Sequence, residues 1–441
     1  MKILVTGAEP PLPDILARLR AAQHDVRHVA ELPRSAAELP ALVEGCQAVV
    51  HGGAYRPGLG DQEALDLAGR RTNDLYLAAQ AAGVERVVYL STLELLRHYP
   101  ERYRLGEQWQ THPPADLRPL CLYLGELVTY EFAHAHAFDA TSLRLGTVIR
   151  EEDATAPEPD PSWVDPRDVA QAVEAALTSK RRRWGNYRVL HIAADFPNPR
   201  FSIELARRFL DYEPQHRFGW PADQPLPVRA DRAPTPWPQP TFQPKERMKV
   251  LLLGAAGPVA AWAIRSLEPY HTLRLTDIKP MDTPHESRVV DITDPAQVEA
   301  AAEGMDVIVN LTVIRDDPVL AFDVNTRGAY NMMRAALRHG IGRVVQTGPT
   351  LSFAHRHDFG ITEEFPLHSG NQLYAISKYL GQEICRAYAW QYGIEVPCLL
   401  YCTFHEPEEA IGFDWSGFIV SWRDSGESIR RAVEVERLPL S

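Results

Sequence analysis

The chain repeats itself. MKILVTG at residues 1–7 is matched by MKVLLLG at 248–254, GVERVVYLST at 83–92 by GIGRVVQTGP at 340–349, and YLGELV at 123–128 by YLGQEI at 379–384. The separations are 247, 257 and 256 residues, so order and spacing are both kept. A tandem duplication accounts for this, and whatever fold is read into one half must also be read into the other. The 441 residues are enough for two such halves.

Each half alternates short apolar runs with amphipathic stretches. KILVT, QAVVH, RVVYL and TSLRL read as buried strands in the first copy, and KVLLLG, TLRLTD, DVIVNL, RVVQT and VPCLLY in the second. Stretches such as GAYNMMRAALRHG carry apolar residues at helical spacing, with Gly340 placed to stop the helix. Near-continuous apolar strands separated by helices predict an α/β fold with a parallel, doubly wound sheet in each copy. Between the copies, residues 219–247 hold eight of the 36 prolines, which rules out a helix or a central strand there. The expected organisation is a first Rossmann-like domain over 1–215, a semi-rigid proline-rich linker over 216–247, and a second Rossmann-like domain over 248–441. Trp220 and Trp237 in the linker suggest packing on a surface. The first copy carries a tail, residues 162–212, that reads as helix, strand and helix, a small α/β cap. SWRDSGESIRRAVEVE (421–436) matches only the start of it, so the second copy is expected to have a minimal cap or none.

Composition narrows the partners. A net charge of −12 without a long basic run argues against nucleic acid and against an anionic membrane surface. No apolar run reaches the length of a membrane span, and the N-terminus enters a strand pattern directly rather than a signal peptide. The five cysteines form no CxxC pair, so no metal site is expected, and reduced thiols in a cytoplasmic protein are the simplest reading.

The second copy carries the chemistry. Gly254 allows a tight turn after the first strand. Gly257 lets backbone approach a pyrophosphate at a helix N-terminus, and Ala260 permits close helix–strand packing. Asp277 ends the next strand, 23 residues after Gly254, where a carboxylate accepts from ribose hydroxyls and repels a 2′-phosphate. That selects NAD over NADP. Asp291, after the following strand, is placed to meet the adenine edge. Tyr374 and Lys378, at i and i+4, share one helix face. An ammonium there is expected to lower the phenol below its usual pKa of about 10 and to make it an acid/base toward a substrate hydroxyl.

In this order the motifs resemble the short-chain dehydrogenase/reductase superfamily, of the extended kind typified by the NAD-dependent epimerases and dehydratases. The resemblance extends over both copies. It implies that Asn325, in VNTRGAYN, serves the cofactor site and that Lys378 also holds the nicotinamide ribose. LYAISKYLGQEICRAYAWQYGIE is further similar to uronate dehydrogenases, which oxidise a sugar acid with NAD. One position departs: Pro349 stands where the family's catalytic Ser/Thr falls. Thr350 is the first candidate to supply that hydroxyl, with Thr347 and Ser352 as alternatives. Family members often dimerise through the helix that carries YxxxK, so an internal pseudo-dimer of the two copies, or a homo-oligomer, is a further expectation.

The first copy has lost these groups. Its loop reads Gly7-Ala-Glu9-Pro10-Pro-Leu-Pro13, with prolines at both later glycine positions; Ala30 falls where the acid should be, and Arg118 to Leu122 where YxxxK should be. Thr92 keeps the hydroxyl position without partners. His134 and His136 point to different helix faces. His355 and His357 read as a polar loop near the pocket, and Asp165 and Asp168 as a helix N-terminus. Two functions follow. The first is an NAD-dependent oxidoreductase or epimerase acting on a small sugar, sugar acid or nucleotide-sugar, with chemistry in the second copy. The alternative is a non-catalytic NAD-binding scaffold.

Overall fold

The computed structural model describes the chain except residues 180–184, 228–240, 351–367, 406–418 and 437–441. It divides into two compact units, residues 1–236 and 237–441, so the division falls inside the proline-rich stretch.

Unit 1 begins with β1 (Lys2–Thr6), α1 (Leu12–Ala21), β2 (Asp25–Val29), α2 (Leu39–Val43), β3 (Ala48–His51), α3 (Asp61–Asp66) and α4 (Thr72–Ala81). β4 (Arg86–Thr92), α5 (Leu117–His134) and β5 (Asp139–Leu145) follow, then the short β6 (Thr147–Val148) and β7 (Trp163–Val164), α6 (Pro166–Thr178), β8 (Tyr187–Ile192) and α7 (Glu204–Leu210). The sheet order is β2-β1-β3-β4-β5-β8, all parallel. Strands such as AVVH are buried along their whole length, as a sheet covered on both faces requires. The tail is therefore not a separate cap. β8 completes the sheet beside β5, and Val169, Val173 and Leu177 of α6 lie in the same core as Ile15 and Leu19 of α1. Asp165 caps α6, accepting from the Arg167 N–H at 2.9 Å with Pro166 at the first helical position, so its reading as a helix start holds.

Unit 2 repeats the plan with β9 (Lys249–Leu253), α8 (Pro258–Leu267), β10 (Thr272–Asp277), β11 (Glu286–Val289), α9 (Pro295–Ala302), β12 (Val307–Asn310), α10 (Leu320–Phe322) and α11 (Gly328–Arg338). It ends with β13 (Arg343–Pro349), α12 (Leu373–Tyr392), β14 (Cys398–Tyr401), β15 (Thr403–Phe404), β16 (Ile419–Val420) and α13 (Trp422–Glu434). The order β11-β10-β9-β12-β13-β14 is again parallel. Among the described residues no strand takes the place of β8 next to β14. In both units the chain turns back on the first strand, which leaves a crevice at the carboxyl ends of the strands where ligands of this architecture bind.

Two irregularities recur at matching positions. A π-helical turn, Leu67–Arg71, runs into α4, and another, Asp323–Arg327, runs into α11. A glycine on the following long helix lets it approach closely: a Cβ on Gly125 would sit 2.3 Å from the Tyr89 hydroxyl, and one on Gly381 2.2 Å from the Asn325 carbonyl oxygen. The ends of the proline-rich stretch are tied to the unit they adjoin. Gln215 and His216 donate backbone N–H groups to Asp168, while Phe242 lies under the Arg343 guanidinium at 3.8 Å. Trp220 donates to the Gln224 carbonyl; Trp237 lies outside the described residues.

Candidate functional site

The glycine loop of unit 2 is built as the sequence predicts. Gly254 has φ of +82°, and a Cβ there would lie 2.8 Å from the Thr312 nitrogen, so only glycine fits between the loop and the end of β12. Gly257 caps α8, and Pro258 takes the first helical position without removing a needed donor. A Cβ on Gly257 would meet only the Gly254 carbonyl, at 3.4 Å, so the face toward the strand ends is open. Ala260 is fully buried, against the sheet.

Asp277 stands at the end of β10 and accepts from the Ala256 N–H at 3.0 Å, which ties the acid to the loop. The next side chain, Ile278, is 63 % exposed, an apolar surface beside the carboxylate where a flat purine would rest. Asp291 accepts from the backbone and hydroxyl of Thr293 at 2.9 and 2.8 Å, so one of its oxygens closes a local turn. A glycine turn, a helix N-terminus, a strand-end acid and an exposed apolar side chain together suit an adenine dinucleotide without a 2′-phosphate.

Tyr374 and Lys378 lie in the first turns of α12. Lys378 is 2 % exposed, and its Nζ donates to the carbonyls of Thr312 at 2.8 Å and Thr347 at 3.3 Å, leaving one N–H of its three for a ligand. Burial pulls its pKa from 10.5 down to about 8. Tyr374 is half-buried, and burial raises its phenol pKa. The opposing cation is Arg315, whose guanidinium lies 5.2 Å from the ring centroid. Lys378 was expected to lower the phenol. The direction is instead upward, because desolvation outweighs the nearest cation and that cation is Arg315. Arg315 was not singled out from the sequence, since a lone arginine in a loop carries no spacing signal.

Asn325, in the π turn, clamps the loop after β12. It accepts from the Ile314 N–H at 3.3 Å and donates to the Ile314 carbonyl and to Ser377 Oγ, at 2.7 and 3.0 Å. It acts on the site through the loop that carries Arg315. A second support missed in the sequence is the buried pair Asn310–Gln346, joined at 2.9 Å across β12 and β13.

At the end of β13 the chain runs Thr347, Gly348, Pro349 and Thr350. Pro349 ends β13 in register with Tyr401. Thr347 is committed to the Asn310 carbonyl at 2.8 Å. Thr350, the next residue, is half-buried at the strand end. Ser352, His355 and His357 lie outside the described residues.

In unit 1 the matching positions carry other chemistry. Val29 pairs with Thr6 as Thr276 pairs with Leu253, which sets exposed Ala30 where unit 2 has Asp277. Pro10 stands where unit 2 has Gly257 and removes that loop amide, while Pro11 matches Pro258. His51 ends β3 as Asn310 ends β12; it is fully buried between the Thr6 and Thr72 hydroxyls at 2.6 and 3.0 Å, and burial drops its pKa to about 3, so it stays neutral. Among the described residues no group of His, Cys, Asp and Glu side chains could hold a metal ion, and no helix is long and apolar enough to cross a membrane.

Residues 250–422 match the NAD dependent epimerase/dehydratase family. Uronate dehydrogenases of Pseudomonas putida and Pseudomonas syringae are each 30 % identical, over 170 and 173 residues. Both alignments cover 36 % of this chain, and 63 % and 61 % of those proteins. The chain thus spans less than two thirds of the length of these relatives. Among solved structures, a mutated uronate dehydrogenase is 19 % identical with a TM-score of 0.41, covering 49 % of this chain and 82 % of its own. A short-chain dehydrogenase/reductase superfamily protein from Agrobacterium tumefaciens, with bound NAD, is 19 % identical with a TM-score of 0.42, covering 49 % and 94 %.

Proposed function

We propose, from the match of residues 250–422 to the NAD dependent epimerase/dehydratase family, that unit 2 is an NAD-dependent oxidoreductase acting on a sugar, with a sugar acid as the favoured substrate. The observation that supports this reading is that the Gly254 turn and the Lys378 ammonium both meet Thr312, with Asp277 tied to the same glycine loop through the Ala256 N–H and Tyr374 one helical turn before Lys378. The curated relatives are named as uronate dehydrogenases, which supports the sugar-acid substrate and gives the non-catalytic reading no support.

Asp277 would take the adenosine ribose hydroxyls and Asp291 the adenine edge, with the amides after Gly254 facing the pyrophosphate. Bound NAD supplies the hydride acceptor. Tyr374 removes the proton of the substrate hydroxyl as the carbon is oxidised. Lys378, already fixed by two carbonyls, directs its remaining N–H to the nicotinamide ribose and holds its charge one turn from the phenol. Arg315, over the Tyr374 ring, favours the phenolate and is placed to meet a substrate carboxylate. Thr350 takes over the hydroxyl role that Pro349 cannot fill.

The test is calorimetric titration of NAD, followed by turnover of D-glucuronate and D-galacturonate monitored as NADH. One NAD per chain, lost in Asp277→Ala, with turnover lost in Tyr374→Phe while NAD binding persists, is the expected result. NAD binding with no turnover of any uronate, hexose or nucleotide-sugar returns unit 2 to a non-catalytic role.

A further inference from the structure

Unit 1 has lost its dinucleotide groups but keeps a hollow beside them. A cavity of about 630 Å³ opens at the carboxyl ends of β1, β3, β4 and β5, within the ~300–1,000 Å³ range of small-molecule sites. One wall is the altered loop, Glu9 and Pro10. The facing wall comes from the segments around β6 and β7.

The arginines around this cavity are already matched. Arg118, in the place of Tyr374, pairs with Glu94 and Arg200 pairs with Glu101. Arg97 pairs with Asp116. An anion would have to displace a carboxylate from its guanidinium and would meet Glu9 at the loop, and a phosphate would find Pro10 where unit 2 offers the Gly257 amide. A hydroxyl group meets no such barrier, since it donates to a carboxylate and accepts from a guanidinium without separating the pair. Hydroxyls also line the walls. Thr147 and Ser162 stand 3.1 Å apart, Ser162 donates to Asp160 at 2.7 Å, and Ser91, 3 % exposed, has a hydroxyl with no hydrogen-bond partner among the described residues. Tyr55 and Phe201 add aromatic faces.

We infer that unit 1 is a cofactor-free binding site for an uncharged, hydroxyl-rich small molecule of the size of a sugar or cyclitol, held among Arg118, Glu94, Arg200, Glu101 and the Thr147–Ser162 hydroxyls. This site is separate from the redox site proposed for unit 2.

The test is hydrogen exchange by mass spectrometry on the full chain, titrated with D-glucose, myo-inositol and trehalose. At least one probe is expected to slow exchange several-fold and saturably in peptides spanning 90–97, 145–148 and 160–163. Thr147→Trp, which fills the cavity, should abolish that protection. Arg118→Gln should weaken it at least tenfold, and NAD binding should be unaffected in both. If Thr147→Trp alone speeds exchange without any probe, Arg118→Gln, at a half-exposed side chain, decides the matter. The inference is overturned if all three probes leave these peptides unchanged, if protection appears only in unit 2, or if protection survives Arg118→Gln.

Discussion

At the scale of single residues, the reactive pair differs from what spacing alone implies. The i, i+4 rule places Tyr374 and Lys378 on one face, but it does not say where the ammonium points, and here two carbonyls hold it. Tyr374→Phe is expected to lower turnover by about 10²–10⁴-fold with NADH affinity unchanged by fluorescence titration. Because burial raises the phenol and Arg315 opposes that rise, the acid limb of kcat/KM in the oxidising direction, where the phenol must lose its proton to act as base, should move to higher pH in Arg315→Gln; an unmoved limb removes Arg315 from the account. Lys378 makes a stability prediction of definite sign. Its folded pKa, about 8, lies below its ordinary 10.5, so the unfolded chain binds more protons between these values and stability rises with pH across that window. Lys378→Met should therefore raise the urea midpoint of unit 2 at pH 7, with the difference shrinking toward pH 10.5. A loss that is equal at every pH would show that the two carbonyl contacts, not desolvation, dominate.

At the scale of elements, the two copies solve one packing problem in different ways. In unit 1, Glu126 of α5 and Arg144 of β5 form a buried pair at 2.6 Å. The register places Arg144 opposite Ser91 and Leu400 opposite Gly348, so Leu400 replaces the arginine in unit 2, and Gln382 replaces the glutamate. Both partners changed together, which fits the high cost of a buried charge without its counterion. Glu126→Gln should destabilise unit 1 by about 3–5 kcal/mol, read as a shift of its urea midpoint. Gln382→Glu should destabilise unit 2, and adding Leu400→Arg should recover part of the loss. Simple additivity in that cycle would mean that the two positions are not coupled. None of this was legible beforehand, because a buried pair joins residues 18 apart with no local signature. The fate of the tail was equally hidden, since an apolar run such as YRVLHI looks the same in a cap and at the edge of a sheet. The glycine loop, Asp277 and the Tyr374 helix were legible because turn, strand-end acid and helix face are each set by short-range geometry.

At the scale of the molecule, two units with separate cores should respond separately to ligands. NAD at 100 times its dissociation constant stabilises only the unit that binds it, by about 2.7 kcal/mol. A calorimetric scan should therefore show the unit 2 transition moving upward while the unit 1 transition stays in place; movement of both would contradict the loss of the dinucleotide groups from unit 1.

The π turns carry a message about ancestry. A π turn adds one residue to the helical path and turns every later side chain by about 100° relative to an uninterrupted helix. In unit 2 it presents Asn325 to the loop after β12. In unit 1, Gly69 occupies the corresponding place and has no side chain to present. The inserted residue has outlasted its task, because deleting it would rotate all of α4 out of its seat. It is a fossil of the shared ancestor: inheritance has let the reactive groups drift while the frame that once aimed them stays locked.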